Sequence, residues 1–142
     1  MWTYQHKAVN SIKDIPEGVY GFVYIIHADD GGKYIGRKKI WSKRKKRFGK
    51  RKIAQMEDKR LKRWEYIVKE NDWLEYTGSN KRFNEHIQTR TYCKEILRYC
   101  YTPKELSYFE EKYLFMYGVL ESPIFFNDNI GGRYFNVDIS AW

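Results

Sequence analysis

The sequence has little cysteine and no long apolar run. Cys93 and Cys100 are its two cysteines, and neither lies in a C-x-x-C motif or a Cys/His cluster with metal spacing. This pattern argues against a disulfide scaffold and a zinc site, and it is typical of reduced, cytoplasmic proteins. No apolar segment approaches the ~20 residues that span a bilayer, and the polar N-terminus is unlike a signal peptide. We therefore expect a soluble, cytoplasmic protein without a membrane partner.

Acidic residues are also scarce relative to basic ones. The chain has 18 acidic and 27 basic residues, which gives a formal net charge of +9. Lys or Arg occupies eleven of the sixteen positions from Arg37 to Lys52. Such a run is repulsive unless a polyanion relieves it, so we expect a nucleic acid partner. The alternative for this run is a solvated, disordered loop. The predicted nucleic-acid contacts are Arg37, Lys38, Lys39, Lys43, Lys45, Lys46 and Arg47.

A chain of 142 residues that is 42% hydrophobic and 18% aromatic is expected to form one domain with a packed core. No repeat or linker divides it. We predict a single domain over residues 1–142, with an irregular lead-in at 1–18, a core at about 19–128 and a C-terminal tail at 129–142.

A β-hairpin is predicted near the N-terminus. Residues 19–26 are almost continuously apolar and rich in β-branched and aromatic side chains, which favours a strand buried on both faces. The turn formers at 29–32 suit a tight hairpin, and residues 33–36 return as the second strand. The register stays open: if Ala28 pairs with Lys33, Tyr24 and Tyr34 lie on opposite faces, and a shift of one residue brings them to the same face.

The remaining elements follow from capping and periodicity. A broken apolar stripe predicts a helix over 53–69, Ser79 or Asn80 is expected to cap a short helix ending at Ile87, and 92–99 resembles a third strand. Thr102 followed by proline and then Glu105 predicts a helix that ends near Tyr117. The expected fold is α+β, with a small three-stranded antiparallel sheet flanked by helices in the order ββαβα.

Five residues in order carry a recognisable pattern. The chain reads GFVY at 21–24 and YIG at 34–36, and Arg44 follows eight residues after that glycine. Glu110 lies in the predicted late helix, and Asn127 follows two phenylalanines. This pattern resembles the GIY-YIG nuclease superfamily over about residues 20–127. The first motif is one residue longer than its nominal form, and no histidine follows the arginine before His86.

The resemblance implies a single active site that contains Tyr24, Tyr34, Arg44, Glu110 and Asn127. It also implies that Glu110 binds one divalent ion, Mg²⁺ or Mn²⁺. The expected substrate is double-stranded DNA, cut to leave 5′-phosphate and 3′-hydroxyl ends. The short chain favours a stand-alone nuclease of bacterial or bacteriophage type.

The chemistry of these side chains suits phosphodiester hydrolysis. A metal ion and nearby cations would favour the phenolate of Tyr24, which would then act as a general base. The Arg44 guanidinium matches phosphate oxygens, and the carboxylate of Glu110 is a hard ligand for Mg²⁺. Helical spacing places Glu110 four residues after Leu106 on the apolar face, whereas Glu111 turns toward solvent.

Each of these residues also has a purely structural interpretation. Tyr24 and Tyr34 fit a core role with hydrogen-bonded hydroxyls, and Arg44 fits a simple phosphate contact. Glu110 would be explained by an ion pair with Arg44 or Lys112, and Asn127 by a turn.

Two classes of function are compatible with the pattern. The favoured one is a metal-dependent endonuclease. The other is a non-catalytic protein that binds DNA or RNA and keeps the fold and the basic surface. An inward-facing carboxylate near a phosphate favours the enzyme, because a protein that only binds has no need of it.

Overall fold

The computed structural model describes residues 1–55 and 63–139. The chain divides into a main unit, Met1–Ile40 with Asp72–Trp142, and an inserted unit, Trp41–Asn71. In chain order the strands are β1 (Trp2–Tyr4), β2 (Lys7–Val9), β3 (Gly21–Ala28), β4 (Lys33–Lys39), β5 (Trp41–Arg47), β6 (Trp64–Glu70), β7 (Tyr92–Cys100), β8 (Asn129–Ile130) and β9 (Tyr134–Phe135). The α-helices are α1 (Lys50–Gln55), α2 (Lys81–Ile87) and α3 (Pro103–Met116).

The main unit contains a five-stranded sheet in the order β2-β1-β7-β3-β4. Strands β1 and β7 pair in parallel, and the other neighbouring strands are antiparallel. The α+β class is confirmed, but the predicted three-stranded antiparallel sheet was wrong. The two extra strands come from the segment predicted as an irregular lead-in. They join the sheet because Trp2 is fully buried and its indole N–H donates to the Trp73 carbonyl at 2.9 Å.

Strand β3 lies between β7 and β4 and is buried on both faces, as predicted. Its side chains alternate between two cores. Phe22 and Tyr24 pack in one core with Trp2 and with Phe83 of α2. Val23 packs in the other core, against α3, which contacts β3, β4 and β7. The hairpin is therefore held rigidly between two packed layers, which suits it to carry a site.

Local capping signals predicted the helices of the main unit correctly. The Thr102 hydroxyl accepts from the Glu105 N–H at 3.0 Å, and α3 ends one residue before the expected position. The Asn80 side chain caps α2 by accepting from the Phe83 N–H at 2.8 Å.

The inserted unit is a two-stranded antiparallel ribbon of β5 and β6, with α1 between them in the chain. The predicted helix over 53–69 was wrong for 64–69, which belong to β6; residues 56–62 lie outside the described residues. Aromatic and β-branched side chains such as Tyr66, Ile67 and Val68 favour a strand once a partner strand is available. The basic run likewise forms regular elements: β4 extends to Lys39, β5 covers Trp41–Arg47 and α1 begins at Lys50. The part alternatively interpreted as a disordered loop, within Lys45–Lys52, is thus divided between β5 and α1.

Across the described ranges, no helix is both long enough and apolar enough to cross a bilayer.

Candidate active site

The β3–β4 hairpin settles which faces the two tyrosines occupy. His27 pairs with Lys33, so Tyr24 lies opposite Gly36 and Ile26 lies opposite Tyr34. Residues two apart on a strand share a face. Tyr24 and Tyr34 therefore project from the same face, and their ring centroids are 6.4 Å apart.

Two glycines leave the space that these rings fill. A Cβ on Gly36 would lie 2.5 Å from the Tyr24 Oη and 2.7 Å from its Cζ. A Cβ on Gly78 would lie 2.9 Å from the Tyr34 ring, and the φ of Gly78 is +96°, a value that side-chain-bearing residues rarely adopt. The glycine of the YIG motif is thus required because the Tyr24 side chain crosses directly over it.

Tyr24 is 1% exposed, and its ring packs against Trp2 and Tyr76 with centroid separations of 5.3 and 6.2 Å. Its hydroxyl is hydrogen-bonded to that of Tyr76. Burial raises the pKa of Tyr24 well above its usual range, and the neighbouring Tyr34, Tyr76 and Glu110 raise it further. The expectation from the sequence was that a metal ion together with nearby cations favours the phenolate; the protein's own groups act in the opposite direction.

Tyr34 is partly exposed and stacks on Phe83 with ring centroids 5.5 Å apart. Burial raises the pKa of Tyr34, and a hydrogen bond with Ser79 opposes that rise. The Tyr34 phenol is therefore fixed in direction by the Ser79 loop on one side and by α2 on the other.

Glu110 projects from α3 one turn after the buried Leu106, and its side chain is 20% exposed. Glu111 is exposed, so the helical-face argument is confirmed. Burial raises the pKa of Glu110, although the nearby Arg37 lowers it. The Arg37 Nε lies 3.8 Å from the Glu110 Oε1, and the same guanidinium also donates to the Ser107 hydroxyl. The ion-pair partner is thus Arg37.

Asn127 is buried, and its side-chain amide is fully engaged with the backbone of β4. Its Oδ1 accepts from the Ile35 N–H at 3.1 Å, and its Nδ2 donates to the Ile35 carbonyl at 2.7 Å. The preceding Phe126 N–H donates to the Lys33 carbonyl at 2.8 Å. Asn127 therefore holds the strand that carries Tyr34 and Gly36.

These elements surround a polar cleft of about 320 Å³. It brings three predicted site residues together: Tyr34, Glu110 and Asn127. Tyr24 packs beside Tyr34 but is buried. The other residues that line the cleft are Ser79, Asn80, Leu114, Asp128 and Asn129. Within residues 1–55 and 63–139, no cluster of three or more His, Cys, Asp or Glu side chains is arranged to hold a metal ion.

The predicted basic contacts are divided between the two units. Arg37, Lys38 and Lys39 belong to β4; Lys38 pairs with Asp72 at 3.0 Å and lies over the Tyr76 ring. Arg44 lies on β5 of the inserted unit, opposite Ile67, so its place in the site stays a prediction. The others on β5 are Lys43, Lys45, Lys46 and Arg47.

The loop at 73–80 covers the tyrosines, and sequence reasoning missed these contacts although it predicted a loop or short extended piece there. Tyr76, Gly78 and Ser79 all contact the two tyrosines. A buried lysine supports this loop: the Lys94 Nζ donates to the carbonyls of Leu74 at 2.7 Å and Tyr76 at 3.1 Å. Burial lowers the pKa of Lys94 to about 8. The only signal was the turn-forming stretch at 77–80, which indicates a loop but not what it contacts.

The main sheet holds two tyrosines near a carboxylate of α3, which is the arrangement that the resemblance implies. The profile of one family, described as "Putative endonuclease segE, GIY-YIG domain", matches residues 2–139. The chain therefore belongs to the GIY-YIG endonuclease superfamily, which confirms the resemblance found in the sequence. Comparison with curated proteins finds no significant relative, and comparison with solved structures finds no significant match.

Proposed function

We propose that this protein is a metal-dependent endonuclease that hydrolyses DNA phosphodiester bonds in a single GIY-YIG-type site. The observation that carries the proposal is the cleft that holds Tyr34 and the half-buried Glu110 together beside Tyr24. Membership of an endonuclease family supports nuclease activity and a nucleic acid substrate.

Glu110 is the proposed ligand for Mg²⁺ or Mn²⁺. The donor set fits such an ion, because the cleft offers the carboxylates of Glu110 and Asp128 and neutral oxygens from Ser79, Asn80 and Asn129. Mg²⁺ is commonly held by one or two carboxylates while its other positions keep water or substrate phosphate. When bound, the ion would supply positive charge that stabilises the phosphate in the transition state.

The protein's own residues have distinct proposed roles. A water oxygen attacks phosphorus and gives its proton to the Tyr24 phenolate. The bond from phosphorus to the 3′ oxygen breaks, and that oxygen takes a proton from solvent water, which leaves 5′-phosphate and 3′-hydroxyl ends. Tyr34 orients the attacking water from the wall of the cleft. Asn127 positions β4. Because burial raises the pKa of Tyr24, a base at this position predicts cleavage that accelerates with pH well into the alkaline range.

One observation favours the alternative of a non-catalytic nucleic-acid-binding protein. The Tyr24 hydroxyl is buried and bonded to Tyr76, so the resting group is a phenol inside the core. A core tyrosine of this kind needs no catalytic explanation.

Cleavage of plasmid DNA by Glu110→Gln separates these alternatives. We expect the wild-type protein to nick or linearise plasmid with Mg²⁺ or Mn²⁺ and to stop when EDTA is added. Glu110→Gln should lose roughly 10²-fold or more in rate while it still binds DNA. Glu111→Gln is the matched control, because it removes the exposed neighbouring carboxylate. DNA binding without cleavage by the wild-type protein would favour the non-catalytic alternative. Equal cleavage rates for Glu110→Gln and Glu111→Gln would contradict a catalytic role for Glu110.

A further inference from the structure

The β5–β6 ribbon of the inserted unit has no buried residue on either strand, and both strands are fully described. The strands pair along their whole length, from Trp41 opposite Glu70 to Arg47 opposite Trp64. An isolated two-stranded ribbon is at best marginally stable in water. A ribbon with this exposure is therefore expected to gain stability from a partner that covers one face.

The two faces of this ribbon differ in composition. Side chains directly opposite one another in an antiparallel pair project to the same side. We call one side the lysine–aromatic face; its residues are Trp41, Lys43, Lys45, Arg47, Trp64, Tyr66, Val68 and Glu70. The other side, the mixed face, contains Ser42, Arg44, Lys46, Glu65, Ile67 and Lys69.

The lysine–aromatic face is ordered by cation–π contacts. The Lys43 Nζ lies 3.9 Å from the centre of the Tyr66 ring, and the Lys45 Nζ lies 4.2 Å from the Trp64 ring. The two rings are in edge-to-face contact with centroids 4.8 Å apart. Tyr66 is nevertheless 48% exposed and Val68 56% exposed. Two cations are thus held in place before any partner binds, which lowers the conformational entropy that binding would cost.

We propose that the lysine–aromatic face of this ribbon binds in the major groove of duplex DNA. This inference rests on the proposed function only in taking DNA as the substrate. Both faces carry three cations and one carboxylate, and the lysine–aromatic face differs in that aromatic rings hold two of its cations, Lys43 and Lys45, in place. With Arg47 at the next alternate position, they present positive charge from one side of β5. That arrangement is complementary to the phosphates that border a groove.

The dimensions of the ribbon fit B-form DNA. Two paired strands are ~5 Å apart, and seven residues extend ~23 Å. The major groove is about 12 Å wide and admits a two-stranded ribbon. Lysine and arginine in that groove contact the O6 and N7 acceptors of guanine most often. A-form RNA has a deep, narrow major groove that side chains do not read, so duplex RNA is not the occupant.

Matched lysine variants on the two faces test this inference. Binding to a short DNA duplex is measured against salt concentration in the Glu110→Gln background without divalent metal, so that cleavage does not interfere. Lys45→Gln should reduce the slope of log K against log salt by about 0.9, the value for one phosphate contact. Lys69→Gln removes the same charge from the mixed face and should leave the slope unchanged. Lys45→Arg, which keeps the charge, should retain the slope and would exclude a loss caused by unfolding.

Competition experiments identify the groove. Methyl green, which occupies the major groove, should displace the protein, whereas distamycin, which occupies the minor groove, should not. Displacement by distamycin alone, equal slopes for Lys45→Gln and Lys69→Gln, or equal binding to duplex RNA or to phosphatidylserine vesicles would each overturn the inference. Cleavage by wild-type protein with a normal slope in Lys45→Gln would refute the ribbon and leave the nuclease standing. Face-specific DNA binding without cleavage would support the ribbon proposal and refute the proposed nuclease activity.

Discussion

Glu110 carries a carboxylate that folding removes from most of its water. Burial raises its pKa, and Arg37 at 3.8 Å offsets that effect only in part. A raised pKa in the folded state means that the folded protein binds the proton more tightly than the unfolded chain does. The charged form of Glu110 therefore destabilises the fold at neutral pH.

Glu110→Gln should consequently increase the free energy of unfolding at pH 7. The penalty appears as the pH rises through the ordinary value of 4.5, and it is fully present above the raised pKa of the folded state. The gain in stability should therefore shrink when the pH is lowered below that ordinary value. Urea unfolding at pH 7 and pH 4 measures this, with Glu111→Gln as the control. Lower stability of Glu110→Gln at pH 7 would mean that the ion pair with Arg37 outweighs the cost of burial.

For individual residues, the sequence predicted which side chain faces inward better than it predicted protonation states and ion-pair partners. Helical spacing correctly selected Glu110 over Glu111, because a helix has a fixed period. The protonation state of Tyr24 was not accessible, since it depends on burial by Trp2 and Tyr76, which are distant in sequence. The partner of Glu110 was also missed: Arg37 approaches it only because β4 extends three residues beyond the predicted strand.

Strand β4 is one of the two edge strands of the main sheet, and it carries Tyr34 and Gly36. An edge strand presents unpaired backbone groups that proteins usually cover. Here the segment before and including Asn127 covers them: the Lys33 N–H donates to the Ile124 carbonyl at 2.8 Å, and the Asn127 amide completes the pairing at Ile35.

Asn127→Ala should therefore destabilise the protein as well as slow cleavage. The substitution leaves the N–H and the carbonyl of Ile35 without their partner, and each unsatisfied buried group costs about 1–3 kcal/mol. Asn10→Ala is the control, because Asn10 is exposed and lies outside the cleft. Urea unfolding gives the free energies. If Asn127→Ala loses activity while remaining as stable as Asn10→Ala, Asn127 acts on substrate directly and not through β4.

The elements that the sequence predicted are those with local signals. Proline and a capping threonine define the start of α3, and Asn80 defines the start of α2. Strand β1 has only three residues and pairs in parallel with the distant β7, so nothing in its own sequence indicates it. The residues of β6 were predicted to be helical, because a short apolar stripe is compatible with the period of a helix and with that of a strand when the partner strand is unknown.

Burial is distributed unevenly over the whole molecule. Every residue of β3 except His27 is buried, whereas β5 and β6 have no buried residue. The family could be predicted from five residues in a fixed order along the chain, because their spacing is visible in the sequence itself. The division into two units could not be predicted, since no proline- or glycine-rich linker separates residues 41–71 from the rest.

Amide hydrogen exchange should reveal the difference in burial between β3 and the strands β5 and β6. We expect amides of β3 and β7 to exchange only through global unfolding, and those of β5 and β6 to exchange much faster, because local opening exposes little additional surface there. A saturating DNA duplex should slow exchange in β5 and β6 and leave β3 unchanged. Mass spectrometry on peptic fragments measures both. Ribbon amides as slow as those of β3 in the free protein would contradict the expectation.

The pairing of Tyr24 with Gly36 also limits how the hairpin can evolve or be engineered. The Tyr24 ring packs directly over Gly36, and the strand register that pairs these two residues also places Tyr34 on the same face. Exchanges of turn residues that preserve this register are compatible with activity. An insertion or deletion that slips the strands by a single position would bring a side chain beneath the ring and turn Tyr34 away. The alignment of the two motifs is therefore a geometric requirement. A hairpin grafted into another protein must keep this strand register as well as the motif residues.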